Sequence, residues 1–213
     1  MASLLIVYGT TEGQTRRIAE RMGEVAREMG HTAAVVNACA CRSVFHGRYD
    51  GVMVAASVHR GRHQRSVLRF ARENLHALSR LPSAFFSVSL SAAGKEARQK
   101  DDARRCADLF LREAGWSPET VRLVAGALAY TRYNLPTRLM MKWIAWREGG
   151  DTDTSRDHEY TEWDQLRRDV QLFAARGARA GADRGRGRRG GRDPGLRGRG
   201  NLIPDSVARP AFR

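Results

Sequence analysis

Five short apolar runs, separated by segments whose apolar residues recur every three or four positions, restrict the fold of this chain more than any other feature. The runs are Ser3–Tyr8, Thr32–Val36, Gly51–Ala56, Ala84–Leu90 and Val121–Leu128. Continuous apolar stretches of this length suit strands covered on both faces, as in a parallel sheet. Between them Ile18, Met22, Val25 and Met29 form one helical stripe, which Gly30 is placed to end. Val67, Ala71, Leu75 and Leu78 predict a second long helix, stopped with the help of Pro82, and Cys106, Phe110 and Ala114 mark a third. Thr161 reads as an N-cap, with Asp164 three residues on and Leu166, Val170 and Phe173 behind it. Strands alternating with helices predict an α/β fold, a doubly wound parallel sheet with right-handed crossovers in one domain over residues 3–175.

Charge narrows the partners. The chain of 213 residues carries a formal net charge of +14, which favours an anionic partner: nucleic acid, a membrane surface or a carboxylate-bearing substrate. From Arg176 to Arg213 there are 11 Arg against Asp183, Asp193 and Asp205, so +8 of the total sits there and +6 in residues 1–175. This Arg/Gly-rich tail has almost nothing to bury, and residues 176–213 are expected to be disordered, with no catalytic role. Cys39, Cys41 and Cys106 form no C-x-x-C pair and no disulfide framework, which suits a reducing cytosol, and no metal site is expected. No secretory leader is expected, and no apolar run approaches the roughly 20 residues of a spanning helix.

The segment after the first run, Tyr8-Gly9-Thr10-Thr11-Glu12-Gly13-Gln14-Thr15-Arg16, joins a strand end to a helix opening through small and hydroxylic residues. Backbone N–H groups, Thr hydroxyls and the positive end of a helix dipole can together wrap a terminal phosphate. It is neither a Walker A loop, which would close on G-K-[ST], nor the G-x-G-x-x-G dinucleotide turn. An ordinary capped βα turn is the alternative reading.

With Tyr8, Thr10, Gly13 and Thr15 in its places, this loop resembles the phosphate loop of flavodoxins. The resemblance implies FMN as cofactor and a five-stranded parallel sheet of order 2-1-3-4-5. It also implies that Thr10, Thr11, Glu12, Gly13, Gln14 and Thr15 hold the phosphate. Ser57, Val58 and His59 after the third run, and Ser89, Leu90 and Ser91 after the fourth, would cradle the ring. Three further stretches, Pro82–Leu90, Ala125–Tyr133 and Gly149–Thr154 with Tyr160–Trp163, resemble the menaquinone-dependent protoporphyrinogen IX dehydrogenase family over about residues 3–174. Gly9 and Thr11 depart from it, standing where Ser and Arg are expected. That resemblance implies an FMN enzyme that oxidises protoporphyrinogen IX to protoporphyrin IX in haem biosynthesis, in successive two-electron steps, and passes electrons to menaquinone or another quinone. The flavin would carry the redox chemistry while the protein binds and orients.

Arg60, Arg62 and His63, with Tyr130 and Arg132, are the candidates for binding the substrate's carboxylates, the alternative for the first three being a solvated basic loop. No general base is assigned; His59 and His63 are the groups in the expected loops that titrate near neutrality. Thr137–Arg147 carries Met140, Trp143, Ile144 and Trp146 with Arg138 and Lys142, a composition that suits a bilayer interface or, equally, packing on the sheet. The resemblance, through its membrane-soluble quinone, implies the former and with it a cytoplasmic protein peripheral to the inner face of the cell membrane, with nucleic acid not the expected partner and homo-oligomerisation left open. The rival readings are a flavodoxin-type electron carrier, disfavoured by the net +6 of residues 1–175, and another FMN-dependent quinone oxidoreductase. A signalling receiver domain fails, because Tyr8-Gly9-Thr10 and Ala55-Ala56-Ser57 lack the acids that it needs.

Overall fold

A computed structural model describes residues 1–40, 49–128 and 158–189. Strands β1 (Ser3–Gly9), β2 (Thr32–Asn37), β3 (Gly51–His59), β5 (Ser83–Ser89) and β6 (Thr120–Ala125) pair in parallel in the order β2-β1-β3-β5-β6. Numbered by the five apolar runs, this is the expected order 2-1-3-4-5. A two-residue strand β4 (Arg62–His63) folds back antiparallel on the end of β3.

Alternate residues of each strand feed two cores, because a pleated strand sends successive side chains to opposite faces. Leu4, Ile6, Met53, Ala55 and Phe86 meet α1 (Gln14–Glu28) and α5 (Trp163–Arg189) through Ile18, Met22, Val25, Leu166, Val170 and Phe173. Leu5, Val7, Val52, Val54 and Phe85 meet α2 (Arg65–Glu73), α3 (Leu75–Leu78) and α4 (Ala97–Ala114) through Val67, Phe70, Leu78 and Phe110. Burying one such aliphatic or aromatic side chain contributes about 1.5–3 kcal/mol, so the continuous apolar runs are the main stabilising term of the sheet. Arg122 on β6 ties α5 down through a 2.8 Å bond to buried Asp169, and Arg167 on α5 bonds Glu28 at the end of α1.

Four local expectations are corrected. The second helix breaks at Asn74, whose side-chain amide donates to the Phe70 carbonyl (2.8 Å) while its own backbone leaves the helical region, giving α2 and α3. Such local side-chain bonding competes with helix continuation. The fifth run is cut at Gly126: β6 stays in the sheet, while β7 (Ala127–Leu128) pairs antiparallel with β8 (His158–Glu159) in a separate ribbon. Thr161 stands one residue before the N-cap of α5, which starts at Trp163 with the Glu162 carbonyl accepting from the Leu166 N–H (3.0 Å), and its hydroxyl donates to the Ala125 carbonyl at 2.8 Å. On α4 the buried stripe is Ala103, Ala107, Phe110 and Ala114, with Cys106 only half-buried beside it. In addition, α5 runs through residue 175, where the sequence reading ends the domain. Gly177 is buried where a Cβ would stand 3.2 Å from Leu4, and Ala178 packs on the same core, so the sheet continues to support the helix beyond that point.

The end of β1 is seated unusually close to α2. A Cβ at Gly9 would lie 2.3 Å from Val67 Cγ2 and 3.2 Å from Gln64 Oε1. The Ser expected at this position therefore has no room against a valine at 67. Overpacking of this kind costs about 1–3 kcal/mol. Gly9→Ala is expected to lose about that much in urea denaturation. Val67→Ala should relieve it, so that the double variant is less destabilised than the two single losses added together; strict additivity would refute the close contact.

Candidate functional site

The loop between β1 and α1 is built by two residues. Gly13, at the N-cap, takes φ 96°, a left-handed conformation that a β-carbon disfavours. Its N–H is held by Thr10 Oγ1 at 2.9 Å, which closes the turn. No side chain caps α1 at this N-cap, so the amides of its first turn stand with the positive end of the helix dipole and without the usual capping acceptor. Thr15, one residue into the helix, is fully buried, and its hydroxyl has no hydrogen-bond partner. A buried unsatisfied hydroxyl costs about 1–3 kcal/mol. An anion with several acceptor oxygens, such as a phosphate monoester, would satisfy both the amides and this hydroxyl. The residues present therefore fit the phosphate end of FMN.

Gln14 takes another role with its side chain. Its Nε2 donates to Glu159 Oε1 at 2.6 Å and to Thr161 Oγ1 at 2.9 Å, while Arg17 reaches Gln14 Oε1 and Glu159 Oε2 and lies over the Trp163 ring. The carboxamide thus clamps the β7–β8 ribbon to the start of α1, and only the backbone N–H of Gln14 is left for an anion.

Thr11 and Ser57 are joined by a residue that the sequence reading did not select. Gln64 sits at the N-cap of α2, and its Nε2 donates to Thr11 Oγ1 at 3.1 Å and to Ser57 Oγ. The Thr at position 11, where the family pattern expects Arg, is thereby bonded to α2. Gln64 was not legible because nothing in the sequence marks a glutamine after a two-residue strand as a neighbour of residues 53 positions earlier.

The loop after β3 is a tight hairpin. Val58 pairs with His63 and His59 with Arg62, leaving Arg60 and Gly61 as its two-residue turn, both at positive φ (51° and 75°). A type I′ turn requires that pair of signs. The hairpin divides the basic cluster. His59 and Arg60 are exposed at its tip. Arg62 approaches Glu113 of α4 at 3.6 Å, and Cys106 Sγ meets the Gly61 carbonyl. His63 turns inward: its ring lies against Phe85 and Phe110, and its Nε2 is 3.0 Å from Ser87 Oγ. Burial pulls its pKa down to about 4, so at neutral pH the imidazole carries no charge for a carboxylate. His63 is thus separated from His59 and Arg60, its ring set against Phe85 and Phe110 while they stand at the exposed tip.

After β5, Ser89 Oγ accepts from the Ala92 N–H and shapes a single 3₁₀ turn, Ser91–Ala93, with Leu90 before it. Thr10–Thr15, Ser57–His59 and Ser89–Ser91 all stand at the carboxyl edge of neighbouring parallel strands β1, β3 and β5, where ligands of open α/β sheets bind. Tyr130, Arg132 and Thr137–Arg147 lie outside the described residues.

Two comparisons bear on this arrangement. A family model described as a flavodoxin domain matches residues 5–155. Among curated proteins, the protoporphyrinogen IX dehydrogenase [quinone] of Escherichia coli K12 is 35% identical over 162 residues, 76% of this chain and 89% of that protein. The protein of the same name from Leishmania major is 33% identical over 176 residues, 80% of this chain and 74% of its own length.

The buried imidazole gives an acid sensitivity with a defined sign. Because the folded pKa of His63 lies near 4, below the ordinary value of 6.5, the unfolded chain binds the extra proton first as pH falls. This contribution to stability is complete above about pH 6.5 and is lost progressively towards pH 4. Allowing for partial exposure of the residue, it amounts to about 1–2 kcal/mol. His63→Gln, which keeps a polar partner for Ser87, is expected to flatten the fall of Tm between pH 7 and 4.5. Parallel Tm profiles for the two proteins would count against the buried ring as the cause.

Proposed function

The chain belongs to the flavodoxin-domain family and, within it, to the quinone-linked protoporphyrinogen IX dehydrogenases, and from that premise we propose that it oxidises protoporphyrinogen IX to protoporphyrin IX with FMN as cofactor and a quinone as electron acceptor. The observation that carries the cofactor is the buried, unpartnered Thr15 hydroxyl beside an uncapped helix start. The amides of the first turn of α1 and the Thr15 hydroxyl hold the phosphate, with Thr10 fixing the turn. Ser57, Val58 and His59 on one side, and Ser89, Leu90 and Ser91 on the other, bound the ring. FMN, when bound, supplies the two-electron chemistry.

His59 and Arg60, exposed at the hairpin tip, are the described groups best placed to meet the substrate's carboxylates, and Arg62 adds charge behind them. Menaquinone is the acceptor in this reading, met at the cytoplasmic membrane surface. The surplus of positive charge favours contact with anionic lipid. Among the described residues no helix is long and apolar enough to cross a membrane.

Two experiments test the reading. The full chain loaded with FMN should produce porphyrin fluorescence from protoporphyrinogen IX when a menaquinone analogue is present. The absence of an FMN-dependent rise would reject the enzyme assignment. Separately, Thr15→Val replaces an unsatisfied hydroxyl by a methyl of the same shape. FMN affinity should fall about tenfold, riboflavin affinity should hold because riboflavin lacks the phosphate, and the Tm of the ligand-free protein should stay level or rise.

A further inference from the structure

Among the described residues, only two buried side-chain oxygens or nitrogens lack a hydrogen-bond partner: Thr15 Oγ1 and Gln64 Oε1. The first is accounted for by a phosphate. The second lies at the N-cap of α2, and no described residue pairs with it. One end of the Gln64 carboxamide is fully used, on Thr11 of the first loop and Ser57 of the second. The other end is buried next to Gly9, where a Cβ would stand 3.2 Å from this oxygen.

Rotating the carboxamide by 180° exchanges its oxygen and nitrogen but leaves the buried end equally without a partner. A hydroxyl, which both donates and accepts, satisfies that end in either orientation. The placement agrees. Gln64 stands between the loop that fits a phosphate and the loop after β3 that fits a ring. In FMN the part between phosphate and ring is a chain of hydroxyl-bearing carbons.

We infer that Gln64 is a further ligand-binding residue of this site, whose free carboxamide end takes a hydroxyl of the polyol joining the phosphate to the ring. The inference rests on the FMN reading and adds to it a contact that does not involve the phosphate. A residue that served only the fold would be expected to have both ends of its amide satisfied in the free protein. Gln64 instead holds the two loops in register with one end and keeps the other for the ligand.

Riboflavin, which has the polyol and the ring but no phosphate, separates this contact from the others. Binding of FMN and of riboflavin to the full chain is followed by quenching of flavin fluorescence, with the Tm of the ligand-free protein measured alongside. Gln64→Met is expected to weaken both flavins by about tenfold, with the ligand-free Tm modestly lowered, because the bonds to Thr11 and Ser57 are lost along with the unsatisfied polar end. Gln64→Asn carries the same polar head on a side chain one methylene shorter, withdraws it from the polyol, and should weaken riboflavin to a similar degree; it decides the matter if the methionine variant does not fold. Riboflavin affinity within twofold of wild type in the folded variants overturns the inference, even where FMN affinity falls, since Gln64 would then act through the phosphate loop alone. Wild-type protein that binds neither flavin overturns the cofactor reading itself, and the inference with it.

Discussion

A glycine at the N-cap of α1 leaves the first-turn amides without a capping side chain at the point where the helix dipole concentrates positive potential. The neighbouring Thr15 hydroxyl is buried and equally unpartnered. Such an arrangement is unfavourable in isolation, since helix starts are ordinarily stabilised by a side-chain acceptor. It persists because the rest of the domain over-determines it. Ile18, Met22 and Val25 hold α1 on the sheet, Arg167 bonds its last turn, and the Gln14–Glu159–Thr161 cluster fixes its first. The site is thus a local deficit in hydrogen bonding carried by a well-packed scaffold, and an anion removes the deficit.

The same arrangement accounts for the two departures from the family pattern. Gly9 answers to Val67, which occupies the space that a serine side chain would need. Thr11 answers to Gln64, which reaches it from the start of α2. Both positions are explained by the approach of one helix to one strand end, and neither needs a change in the ligand.

The sheet was legible because strands buried on both faces leave continuous apolar runs, and Leu4–Val7, Val52–Ala56 and Ala84–Val88 could scarcely be read otherwise. Gly13 and the threonines singled out the β1–α1 turn as a candidate site for a similar reason, since few other uses gather those residue types at a strand end. What could not be read was decided by contacts between distant segments. The inward turn of His63 depends on Phe110, 47 positions on, and on Ser87. Its neighbours His59 and Arg60 look no different in sequence yet stand in solvent. Thr161 had every local feature of a helix cap, but α5 starts one residue too late for it, and its hydroxyl joins the Ala125 carbonyl to the Gln14 carboxamide instead.

The two-stranded ribbon at the sheet edge has a further consequence. Leu128 and His158 are paired directly, and Gln14 fastens the ribbon that they belong to onto the start of α1. Because the ribbon itself sets how far apart positions 128 and 158 stand, a change in the number of residues between them need not displace the sheet or the β1–α1 turn.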